Sequence, residues 1–128
     1  LNACFGVIDK RRTGDTEVEV NNIIGNVEGR NVIFVDDIVS TGTSLMRANE
    51  VVRKFNPKSV YIMVTHPVLC GNALENLTSI EADEVIVADT IPLQGKSLDN
   101  LVVLSVAELL GEAIRRIHNN QSVSNLFI

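Results

Sequence analysis

An α/β fold, built on a mostly parallel sheet flanked by helices, is predicted by three observations. Apolar, β-branched runs alternate with stretches of helical periodicity along the whole chain, and strand–helix alternation builds units whose strands lie parallel. The run Val32-Ile33-Phe34-Val35 has no polar alternation, as expected of a parallel strand covered on both faces. The 128 residues suit a single domain with no repeat, linker or low-complexity segment.

Taken in order, strands are expected near 4–8, 18–24, 32–35, 59–64, 84–88 and 101–104, and helices near 44–55, 72–77 and 106–118. Residues 9–17 read as a polar, charge-dense break after the first strand. In the first helix Leu45, Ala48, Val51, Val52 and Phe55 recur at helical spacing, Thr43 or Ser44 serves as N-cap, and Asn56-Pro57 stops it. In the last helix Ser105 and Glu108 form a capping box. Val106, Leu109, Leu110, Ala113, Ile114 and Ile117 make its core stripe, and Arg115, Arg116 and His118 suit its negative end.

The most informative stretch is Asn31 to Ser44, which runs from an apolar strand through two carboxylates and a Ser/Thr/Gly loop into a helix. In open α/β sheets ligands bind beyond the carboxyl ends of the strands. Asp36 and Asp37 stand there as acceptors for two neighbouring sugar hydroxyls. Ser40, Thr41, Gly42, Thr43 and Ser44 supply hydroxyls and backbone N–H groups at a helix start, which favours a phosphate. Paired aspartates alone would be an ordinary strand end; the ordered series points to a sugar phosphate. Lys10, Arg11 and Arg12 could close over a polyphosphate, although charge runs are often only solvated loops.

Asn31 to Ser44 resembles the phosphoribosyl diphosphate motif of the phosphoribosyltransferase-type (type I) fold. It matches that pattern through Gly42 and departs at Thr43, where the pattern has Gly, and at Ser44, where it has Thr. If position 43 needs φ > 0, a β-branched residue there carries strain on the order of 1–3 kcal/mol. The segments Thr65-His66, Asp89-Thr90-Ile91-Pro92 and Ile114 to Phe127 are similar to those of the ribose-phosphate diphosphokinases, also called phosphoribosyl diphosphate synthetases. With Lys10-Arg11-Arg12 the resemblance covers essentially the whole chain.

That resemblance implies transfer of the β,γ-diphosphoryl group of ATP to the 1-hydroxyl of ribose 5-phosphate, with Mg²⁺ as cofactor. Ser40 to Ser44 would hold the 5-phosphate, and Asp36 and Asp37 the ribose hydroxyls, with the same two aspartates as candidates for Mg²⁺. Lys10 and Arg12 would be catalytic, neutralising charge on the transferring group. Ser122 and Ser124 match a regulatory phosphate site, against the plainer reading of a surface tail. His66 either lines the site or is a hydrogen-bonded structural residue. Members of the family carry two related domains, so residues 1–128 are expected to be the C-terminal half, with the N-terminal domain absent and the fragment inactive alone.

Sixteen acidic and eleven basic residues give a net charge of −5, with no Trp and one Tyr. Neither a basic stripe nor a stacking platform suggests nucleic acid. No apolar run spans a bilayer, and two cysteines form no disulfide framework, so a cytoplasmic metabolic domain is expected. Absence of the neighbouring domain that the resemblance implies should leave an apolar face open, consistent with the 45% hydrophobic content, and a homo-oligomer is expected. Gly95-Lys96-Ser97 is no P-loop, because Thr90 stands where the first Gly belongs. A nucleobase phosphoribosyltransferase and a non-catalytic regulatory homologue are the alternative readings.

Overall fold

The computed structural model describes residues 4, 6–12 and 18–127, with the backbone alone for 7–12 and 18–22. The chain runs β1 (Val7–Arg12), β2 (Val18–Ile24), β3 (Asn31–Val39), α1 (Thr43–Arg53), β4 (Ser59–Pro67), α2 (Ala73–Ser79), β5 (Glu84–Ala88), β6 (Leu101–Leu104) and α3 (Ala107–His118), then a 3-10 turn (Ser124–Leu126). The strands β3-β4-β5-β6 form one parallel sheet in that spatial order, and β1 and β2 pair antiparallel in a second.

The sheet order dictates where the core lies. Each strand is followed by its spatial neighbour, so successive crossovers advance in one direction. Right-handed crossovers then put α1 and α2 on the same face. The buried cluster agrees: Leu45 from α1 and Ala73 and Leu77 from α2 pack on Val60, Ile62, Val64, Val85 and Val87 from the sheet. Alternate residues point to the other face, where Ile33, Met63, Val102 and Leu104 are exposed and Val35 is 78% exposed. The expectation that β3 is buried on both faces, with helices on each, is therefore corrected. Among the described residues only one face is covered, because every crossover steps the same way.

Other expectations shift for local reasons. Strand β1 continues through Lys10, Arg11 and Arg12, which register against Val20, Glu19 and Val18 with an irregularity at Asp9/Lys10. The expected polar break at 9–17 thus begins in a strand, because the β-branched Val18 and Val20 extend the ladder; the remainder, 13–17, lies outside the described residues. Gly42, not Thr43 or Ser44, occupies the N-cap of α1, with no side-chain cap. Helix α1 ends at Arg53, so Phe55 falls past its last turn and is 47% exposed. Strands β3 and β4 run to Val39 and Pro67, past the expected ends.

Helix α3 keeps its apolar stripe, yet none of its residues is buried. The expected capping box is replaced by an anchor from the sheet. The Asp89 carboxylate accepts from Val106 N–H at 2.9 Å, and Ser105 Oγ accepts from Ala107 N–H at 3.2 Å. The Ser105 hydroxyl first, and then the Val106 N–H, hold the Asp89 carboxyl below its ordinary range.

Candidate functional site

Strand β3 delivers Asp36 and Asp37 to the carboxyl end of the sheet, at its edge. Asp36 is half-buried and Asp37 exposed, and Asp36 Oδ1 accepts from Asp37 N–H at 3.0 Å. Beyond Val39 the chain turns through Ser40, Thr41 and Gly42 into α1. Gly42 has φ 74, the left-handed region that only glycine enters without cost, and it is the residue that makes the turn. Thr43 lies in α1 and is absent from the positive-φ positions. The strain expected at Thr43 does not arise, because the neighbouring glycine absorbs the turn.

A concavity of about 140 Å³ is lined by Asp36, Ile38, Val39, Ser40 to Ser44 and Leu45. It gathers Asp36 with all five loop residues of the expected site, while Asp37 sits outside its wall. The backbone N–H groups of Thr41, Gly42, Thr43, Ser44 and Leu45 donate to no acceptor among the described residues. Unpaired donors at a helix start, reinforced by its dipole, form an anion cradle. A larger groove of about 530 Å³ follows the other end of β3, along Val32 to Phe34, beside Cys4, Gly6 and Ile23. It lacks this cradle and lies away from the aspartates.

The loop is held from outside. Leu69 N–H donates to Val39 O at 3.1 Å and Cys70 N–H to Ser40 O at 2.9 Å. Leu69 adopts φ 49 to do so and is fully packed; a bulky residue in that region is uncommon and persists only where its surroundings dictate it. The Asn76 amide on α2 donates to Thr41 O at 2.8 Å. None of these three residues stands out in the sequence, since each reaches the loop from at least one crossover away.

Residues 15–128 match the family described as the phosphoribosyl synthetase-associated domain. The chain belongs to that family. A ribose-phosphate pyrophosphokinase of Rhodopirellula baltica is 48% identical over 99% of this chain, which covers 41% of that relative. One from Campylobacter jejuni is 46% identical over 95% of the chain, covering 39% of its length. The crystal structure of phosphoribosylpyrophosphate synthetase from Mycobacterium smegmatis aligns with a TM-score of 0.73 and 37% identity, over 77% of this chain and 33% of that one. The chain thus spans about two fifths of the length of the curated relatives it matches.

For this phosphoribosyl synthetase-associated domain, the remaining expected residues fall as follows. Lys10 and Arg12 lie on β1, with side chains outside the described set. Ser122 and Ser124 are exposed beyond α3: Ser122 Oγ accepts from Ser124 N–H at 3.2 Å, and Arg116 donates to Ser122 O at 3.0 Å. His66 Nδ1 lies 2.8 Å from Thr90 Oγ1, whose own proton goes to Thr65 O at 2.7 Å. Nδ1 must then be the donor, and the ring is a hydrogen-bonded residue tying β4 to the end of β5. For Mg²⁺, no group of three or more His, Cys, Asp or Glu side chains gathers among the described residues. Two adjacent carboxylates nonetheless fit an ion that keeps most of its waters and shares substrate phosphates.

Proposed function

We propose that the chain is the sugar-phosphate-binding part of a ribose-phosphate diphosphokinase. The observation that carries this reading is the cradle of free N–H groups at residues 41–45, set beside Asp36 at the carboxyl end of β3. The names of the relatives support the same assignment. In this reading the loop takes the 5-phosphate of ribose 5-phosphate, and Asp36 and Asp37 accept from the ribose hydroxyls. The 1-hydroxyl oxygen bonds to the β-phosphorus of ATP, the bond from that phosphorus to the α,β-bridging oxygen breaks, AMP leaves, and the hydroxyl proton passes to solvent. Such transfer asks for positioning and charge stabilisation, the role given to Lys10 and Arg12. Mg²⁺, held with Asp36 and Asp37, would offset phosphate charge. Ser122 and Ser124 are assigned to regulation, and the compartment is read as the cytoplasm.

Further polypeptide belongs to this reading. A doubly wound sheet binds its ligand at the strand where the order reverses. Strand β3 has no hydrogen-bonded neighbour on its far edge among the described residues, and relatives are more than twice as long. Strands continuing beyond that edge would make β3 the reversal point and would send helices to the uncovered face. The chain is accordingly read as the C-terminal half of a two-domain enzyme, binding substrate but not turning it over alone.

The test is to supply the full-length protein with ATP, ribose 5-phosphate and Mg²⁺ and to measure AMP. Equal amounts of AMP and phosphoribosyl diphosphate are expected. Asp36→Asn should weaken ribose 5-phosphate binding on the order of tenfold or more, as for loss of a hydrogen bond to a charged group. Diphosphate release that depends on an added nucleobase would instead make it a phosphoribosyltransferase. A protein that forms no AMP and only modulates an active homologue would be regulatory.

A further inference from the structure

We infer that Asn76 is a positioning residue of the loop, aiming the Gly42 N–H at the bound anion before the anion arrives; this rests on the phosphate-loop reading above. A trans peptide unit is planar, so the carbonyl of one residue and the N–H of the next point in opposite directions. Whatever grips a carbonyl in the loop therefore aims the following N–H. Three successive carbonyls are gripped. Cys70 N–H holds Ser40 O at 2.9 Å, the Asn76 amide holds Thr41 O at 2.8 Å, and Met46 N–H holds Gly42 O at 2.9 Å. The N–H groups that follow, on Thr41, Gly42 and Thr43, have no partner among the described residues. They are turned away from these grips, and the concavity is lined by residues 36 and 38–45, with nothing from α2 and neither Cys70 nor Met46.

Asn76 is the one side chain among the three grips, and hence the one that substitution can remove cleanly. It is half-buried on the second turn of α2, and its Cβ lies 3.5 Å from where a Cβ on Gly42 would stand. Its second amide proton faces Thr43 Oγ1 at 3.5 Å, and that hydroxyl lies 3.0 Å from Thr41 Oγ1. Thr43, the departure from the usual loop pattern, therefore joins Thr41 and Asn76 in a small polar network. An aspartate would fill the same space but has no proton to offer a carbonyl at neutral pH.

The experiment uses the full-length protein with Asn76→Ala, Asn76→Asp and, as a control on the same helix, Glu75→Ala. Two quantities are read: the ribose 5-phosphate affinity, and hydrogen exchange of peptides spanning 40–46 and 73–79. Both Asn76 variants should lose about fivefold to tenfold in ribose 5-phosphate affinity, the scale of one hydrogen bond, with ATP KM unchanged. Exchange should quicken at 40–46, where Met46 N–H, bonded to Gly42 O at 2.9 Å, is the protected amide that a loosened loop releases, and not at 73–79, and Glu75→Ala should match the parent. Parent-like affinity and exchange in Asn76→Ala would overturn the assignment. So would equal quickening of both peptides, which would make Asn76 a packing residue of α2. If the parent itself binds no ribose 5-phosphate, the functional reading fails, and exchange at 40–46 still decides whether Asn76 holds the loop.

Discussion

Gly42 shows how one backbone angle sets the site. Its φ of 74 lets β3 turn into α1 within three residues, and its carbonyl still accepts the first bond of the helix. A methyl group there would meet Asn76, Ala73 and Leu77 at 3.5–3.6 Å, ordinary contact distances. The cost of Gly42→Ala is therefore the left-handed backbone alone, about 1–2 kcal/mol, to be checked by thermal unfolding; a neutral effect would mean the turn relaxes. The hydroxyl-rich loop and its aspartates were legible in the sequence because their spacing is local. Which loop residue takes the positive φ was not, since the pattern left both Gly42 and position 43 open to it.

Among the elements, α3 is the clearest case of local strength without burial. Glu112 accepts from Arg115 and Arg116, each at 2.7 Å, and these bonds, Arg115 first, lower its carboxyl from 4.5 to about 2. A depressed carboxyl stabilises the folded state above its unfolded pKa and loses that contribution as pH falls through the folded value. Helix α3 should thus weaken on acidification between about 4.5 and about 2. Thermal midpoints across that window should fall less steeply in Glu112→Gln, with Asp89, also lowered, supplying a remaining slope. Identical slopes would show that the pair adds nothing at this exposed position, a common outcome for surface ion pairs. The helix itself was readable from its period and its basic end. Its anchor was not, because Asp89 precedes Val106 by a whole strand.

At the scale of the molecule, two apolar surfaces lie open. One is the uncovered sheet face with Ile33, Val35 and Val102, and the other is the α3 stripe with Leu110, Ile114 and Ile117. Exposed apolar patches of this extent drive association, so the isolated chain should self-associate as its concentration rises. Sedimentation velocity should show the effect persisting in high salt, since apolar contacts are not screened. Val35→Lys with Ile114→Lys should reduce it. A parent that stays monomeric throughout would mean these faces are closed in solution by some other rearrangement.

The sequence by itself determined the parallel sheet, a strand at Val32–Val35 and the order of carboxylates, loop and helix. Periodicity and turn chemistry are short-range, and they act before any packing does. Only the tertiary structure decided which face of the sheet is covered, because that depends on the direction in which successive crossovers step. It alone brought Asn76 and Cys70 onto the loop, and Asp89 to the head of α3. Hydrogen bonds between residues so far apart leave no period in the chain, and they exist only once the strands have been laid side by side.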